Sequence, residues 1–172
     1  MLPAAQAMIA ELEAEAPATR RVLERVPEER LDWRPHPKSF SLGQLAQHVA
    51  AIPASAARLV GMELFDIATR TTPYPACESR AALLATFEAS VAAMRDALAG
   101  LDPERARESF RMVFGERTIA ELPRLGVLRT IGLNHHYHHR GELVVYLRLL
   151  DVPVPVVYGR SADEGPGVRP EA

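Results

Sequence analysis

The sequence predicts an all-α protein, a four-helix bundle, on three observations. Four long segments repeat apolar residues at intervals of three and four, the period of a helix buried along one side. Strand-like stretches are scarce, and no internal repeat interrupts the pattern. The chain has 172 residues, enough for one domain with a sizeable core and too short to make two the default. Residues 1–159 read as that single domain, and 160–172 as a mobile C-terminal tail.

The first segment places Ala5, Met8, Ile9, Leu12, Ala16, Thr19, Val22, Leu23 and Val26 on one face, with Glu11, Glu13, Glu15, Arg20, Arg21 and Glu24 mostly on the other. Pro27 ends it, because proline lacks the N–H that would continue the ladder. The run Asp32–Trp33–Arg34–Pro35–His36–Pro37 reads as an extended loop, since each proline biases its predecessor away from the helix. Ser41 with Gln44 three residues later is a capping box for the second helix. Its stripe is Leu42, Leu45, Val49, Ile52, Ala56 and Leu59, with a kink expected at Pro53.

The third helix spans 79–99, with Leu84, Phe87, Val91, Met94 and Leu98 in register. From Asp102 to Arg117 there is no clear period, although Phe110–Phe114 before Gly115 suits a short extended piece. The fourth helix is expected to start near Thr118, with Thr118 as cap and Pro123 in the first turn. Its stripe would be Leu122, Leu125, Leu128, Ile131, His135, His139, Glu142, Tyr146 and Leu149. The prolines of Val152–Gly159 stop it. The composition of Arg160–Ala172, with Gly, Pro and charge but little apolar content, is what suggests a mobile end.

The net charge of -2 gives no general attraction to nucleic acid. A single cysteine, Cys77, precludes an intrachain disulfide and fits a reducing compartment. No apolar run approaches the roughly 20 residues of a membrane span. Met1–Ala10 lacks the basic start and apolar centre of a secretory signal. A cytoplasmic protein, bound to neither membrane nor nucleic acid, is the expectation.

Of six histidines, four crowd into five residues: His135, His136, His138 and His139. His135 and His139, four apart, stand one above the other on a helix and can share one cation. Both continue the apolar stripe, and His48 likewise lies between Leu45 and Ile52. Inward imidazoles left unpaired are costly. Each can be satisfied by core hydrogen bonds, or all three by one divalent ion. His36, between two prolines, is expected in solvent. A zincin would need Glu where His136 stands. A di-iron bundle would need Glu three residues ahead of each ligand histidine, and that is absent too.

The run Asn134–His135–His136–Tyr137–His138–His139–Arg140–Gly141–Glu142–Leu143 resembles the end-of-bundle motif of the DinB-like (YfiT-like) metalloenzymes. Ser41–Leu42–Gly43–Gln44–Leu45–Ala46–Gln47–His48 is similar to their second-helix motif. Leu31–Pro35 and Val154–Asp163 also look like that family, so the resemblance covers most of the chain. It implies an up-down-down-up bundle, usually dimeric, with a nickel or zinc ion on His48, His135 and His139. Glu142 departs from the family pattern, where glutamine is common. It reads either as a group orienting a ligand or acting as base, or as an ordinary surface carboxylate.

Three protein ligands leave positions open, the arrangement of catalytic sites. Relatives with an assigned activity include transferases that use a low-molecular-weight thiol. The resemblance therefore implies a metal-dependent thiol S-transferase, a homodimer whose partners are a small thiol and an electrophile. The rival is a non-catalytic, metal-stabilised helical module for binding or stress response.

Other residues carry lesser expectations. Trp33 and Phe40 either wall a pocket beside His48 or plug the bundle end. Arg140 points off the metal stripe toward a structural salt bridge. Gly141, costing about 1 kcal/mol relative to alanine inside a helix, suggests close helix approach. Cys77 lies outside any histidine-containing motif, and although Ser79 suggests a helix start that could lower a thiol pKa, a catalytic role is not expected of it.

Overall fold

A computed structural model describes residues 1–69 and 75–165 of the chain. Three helices fall where the apolar period puts them: α1 (Pro3–Leu23), α2 (Leu42–Val60) and α3 (Arg80–Ala99). The capping box at the start of α2 is complete, with Gln44 N–H donating to Ser41 Oγ and Ser41 N–H donating to Gln44 Oε1. Ser79 caps α3 through Ala82 N–H.

Helix α2 runs on through Pro53, which has no N–H to offer the carbonyl of Val49. The amide of the next residue, Ala54, donates instead to Ser90 Oγ on α3 at 2.7 Å. Ser90 is 1% exposed, so one buried hydroxyl is spent on the disturbance the proline causes.

The all-α expectation needs correcting: the chain is dominated by helices but also carries a three-stranded sheet. Strand β1 (Leu64–Asp66) pairs in parallel with β2 (Ser109–Phe114), and β2 pairs antiparallel with β3 (Arg117–Pro123). The extended piece expected at Phe110–Phe114 is the middle strand. The helix expected to begin at Thr118 does not begin there, because residues 117–123 form β3. Thr118 and Ile119 are β-branched and suit a strand. Pro123 biases Leu122 toward extended backbone, so it ends the strand and does not sit inside the helix. Gly115, at φ +59°, makes the tight turn between the two strands.

The last helix is one rod over residues 124–149 with three parts. These are α4 (Arg124–Val127), a π-helical segment (Leu128–Asn134) and α5 (His135–Leu149). The wide π turn shifts the register. The buried face passes from Leu128 to the adjacent pair Gly132 and Leu133, and then through His136, Arg140, Leu143 and Leu147 at threes and fours. The expected interior stripe of His135, His139, Glu142 and Tyr146 is therefore half-buried, displaced by one position, and Leu149 is exposed.

Two clusters make the core. One packs Met8 and Leu12 with Ala56, Met94, Leu98, Phe110, Leu128 and Leu133. The other packs Val22 and Leu23 with Leu42, Leu45, Val49, Leu83, Phe87, Leu143 and Leu147. Phe110 sends the sheet into the first cluster. The close approach lies at Gly132, not at Gly141. A Cβ on Gly132 would stand 2.6 Å from Met94 Cε and 3.2 Å from Ala56 Cβ, whereas one on Gly141 would meet nothing within 4 Å.

Residues 161–165 are fastened to the bundle. Asp163 accepts from Arg148 and from Val154 N–H, while Glu164 accepts from Arg21, Arg25 and Val156 N–H. Residues 166–172, the rest of the expected tail, lie outside the described residues. No helix among the described residues is long and apolar enough to cross a membrane.

Candidate metal centre

His48 comes from the middle of α2, and His135 and His139 from the first turn and a half of α5. Because the π segment turns these two off the fully buried stripe, both are half-buried and face His48. The three offer ring nitrogens that all lie within 4.8 Å of one another. The Nε2 atoms of His48 and His135 are 3.2 Å apart. Ring centroids are separated by 5.3 Å for His48–His135, 4.6 Å for His48–His139 and 4.3 Å for His135–His139.

Glu142 completes the group. Its Oε2 lies 2.6 Å from His139 Nδ1, and its Oε1 lies 3.2 Å from His138 Nε2. A carboxylate only accepts, so the His139 proton belongs on Nδ1 and Nε2 is left to act as a ligand. Burial, reinforced by His139 and His138, pushes His135 down to about 4. His135 is thus neutral at physiological pH, the form in which imidazole coordinates.

The donor set fits a divalent ion. Two nitrogens bound at about 2.0–2.1 Å to a tetrahedral ion stand about 3.3 Å apart. The His48–His135 separation matches that spacing.

The other histidines are placed differently. His136 is 1% exposed, lies 6.0 Å from the Phe87 ring and is pushed down to about 3, first by burial and then by Arg140. It is a neutral core histidine. His36 and His138 are exposed. Arg140 forms the structural salt bridge expected of it, with Nη1 2.7 Å from Glu15 Oε2 and 3.0 Å from Thr19 Oγ1.

Trp33 meets Tyr146 edge-on at 5.7 Å and packs on the second core cluster, in keeping with a plug at the bundle end. The Phe40 ring stands 5.8 Å from His48. Cys77 is buried, and burial pushes its thiol above the ordinary range, the opposite of an activated nucleophile.

A cavity of about 850 Å³ opens from the histidines. His48 and His135 line it, flanked by the carboxamides of Gln47 and Asn134. Ile52, Leu59 and Ile131 form helical walls, and Phe65, Met112 and Leu122 close it from the sheet. Ala51 and Ser55 leave it room, since short side chains there fail to fill the space between α2 and the sheet. Sequence reasoning missed this cavity. The α2 part is readable as a stripe of His48, Ala51, Ser55 and Arg58 at steps of three and four. The sheet wall is not, because the apolar spacing of residues 117–123 also suits a helix.

Comparison with known proteins agrees with this architecture. No curated protein matches the chain. A crystal structure of a DinB-like protein from Bacillus cereus is 27% identical, with a TM-score of 0.62, over 84% of this chain and 91% of that one. A DinB-like protein from Bacillus subtilis, 15% identical, shares the fold with a TM-score of 0.64 over 88% of this chain and 98% of the other. The family model of the DinB superfamily matches residues 11–143, a span that includes His48, His135 and His139. The chain belongs to the DinB superfamily.

Proposed function

We propose that the protein is a divalent-metal-dependent enzyme that joins a low-molecular-weight thiol to an electrophile, with the ion held by His48, His135 and His139. The observation that carries this reading is the convergence of three imidazoles from two helices, two of which, His48 and His135, line a mostly apolar cavity. Imidazole donors suit nickel or zinc. Three ligands from the protein leave room for a fourth from solvent or substrate. When bound, the ion supplies Lewis acidity and lowers the pKa of the thiol or water that joins it.

The chain's own residues do the rest. Glu142 holds the His139 ring so that Nε2 is presented. Gln47 and Asn134 border the reacting end with amide donors and acceptors. The apolar walls exclude water and seat the electrophile. A cavity of this size is in the usual range for a small-molecule site.

The test is a panel of bacterial thiols against several electrophiles, run with metal-loaded wild type and His48→Ala. Turnover in wild type that disappears in His48→Ala supports the reading. Inactivity across the panel, combined with a large fall in melting temperature on chelation, would overturn it in favour of a metal-stabilised binding module.

A further inference from the structure

The cavity carries its nitrogen-bearing side chains in two groups, with mostly apolar walls between them. At one end stand His48, His135 and the two carboxamides. At the other stands Arg58, exposed, with its guanidinium carbon 5.9 Å from the centre of the Phe65 ring. Arg58 lies ten residues beyond His48 on α2, roughly 15 Å along the helix at 1.5 Å per residue, and both line the cavity. Among the described residues its guanidinium has no carboxylate partner and lies against the Phe65 ring. Most exposed arginines need no such explanation. This one is, among the described residues, the single arginine on the lining of a cavity whose remaining walls are mostly apolar, with Ile52, Leu59, Met112 and Leu122 outnumbering the hydroxyls of Ser55 and Thr130.

We infer that Arg58 reads an anionic group at the far end of the substrate, so that this site takes an elongated apolar molecule ending in a carboxylate. The inference rests on the proposed function in taking the histidine end as the reacting end. The guanidinium offers a planar fork of donors that matches a carboxylate in two parallel hydrogen bonds. The cation–π contact with the Phe65 ring, itself a lining residue, keeps it beside the cavity. The apolar body of the ligand would displace water from the middle of the cavity, and the spacing of the two ends selects for length.

Calorimetric titration with octanoate, decanoate and dodecanoate, and with dodecanol as the neutral control, tests this in wild type, Arg58→Gln, Arg58→Lys and His48→Ala. Arg58→Gln should weaken dodecanoate about tenfold and leave dodecanol unchanged, a loss typical of an exposed charge-assisted contact. Arg58→Lys should recover part of it. Equal dodecanoate affinity in wild type and Arg58→Gln would overturn the inference, as would the absence of carboxylate binding. Loss of carboxylate binding in His48→Ala but not in Arg58→Gln would also overturn it, by placing the carboxylate at the histidines. An Arg58 effect that persists in His48→Ala would sustain the inference even if the transferase reading failed.

Discussion

Glu142 Oε2 lies 2.6 Å from His139 Nδ1, one turn further along the same helix. This contact fixes the tautomer and orientation of a candidate metal ligand. A contact of this kind is what the reading of Glu142 as a group orienting a ligand requires.

Partners of this kind typically change metal affinity by about 10–100-fold when removed. Glu142→Ala should therefore bind zinc or nickel about 10–100-fold more weakly than wild type in competition with a chromophoric chelator. Glu142→Gln, whose amide oxygen still accepts from Nδ1–H, should fall between the two. Unchanged affinity in Glu142→Ala would show that the contact contributes nothing to binding.

Ser90 answers for Pro53. Ser90→Ala would leave the Ala54 amide without its hydroxyl partner at a 1% exposed position, at a cost of about 1–2 kcal/mol. The urea midpoint should fall accordingly while the metal content stays as in wild type.

Two glycines of the last helix should respond in opposite directions. Gly141 faces open space, so Gly141→Ala should stabilise by about 0.5–1 kcal/mol through helix propensity. Gly132 is pressed against Met94 and Ala56, so Gly132→Ala must displace packed side chains and should destabilise by about 1–3 kcal/mol. Thermal melts of the two variants beside wild type decide this.

The helices and the three histidines were legible because burial writes itself as a period of three and four, and a cap is a local signal. Register along the last helix was not. The π segment inserts its extra residue without any change in apolar composition. Continuing an α period from Leu128 through His135 therefore picks out two histidines that do converge with His48 but assigns them to the wrong depth. The sheet was misread at one point for a similar reason. Thr118 can cap a helix and can also pair in a strand, and the choice is made by β2 alongside it. The cavity depends on both features, so it appears only once the chain is folded.

Asp163 gives a pH dependence of defined sign. Hydrogen bonds from Arg148, then from Val154 N–H, hold its carboxyl at about 2, below the ordinary 3.8. A depressed carboxylate stabilises the fold above its unfolded value and ceases to do so as pH falls through its folded one. Wild type should therefore lose part of its stability from about pH 4 down to about pH 2 that Asp163→Asn never had. Urea midpoints for the two proteins should converge across that window. Parallel curves would mean that the clasp between 161–164 and α5 adds no stability.

The central claim is that His48, His135 and His139 hold one divalent ion. Elemental mass spectrometry on untagged protein, with His48→Ala and His139→Ala beside it, measures this directly. Near-stoichiometric zinc or nickel is expected in wild type, with its loss in both variants. Metal-free wild type after reconstitution, or variants that retain full metal, would contradict it.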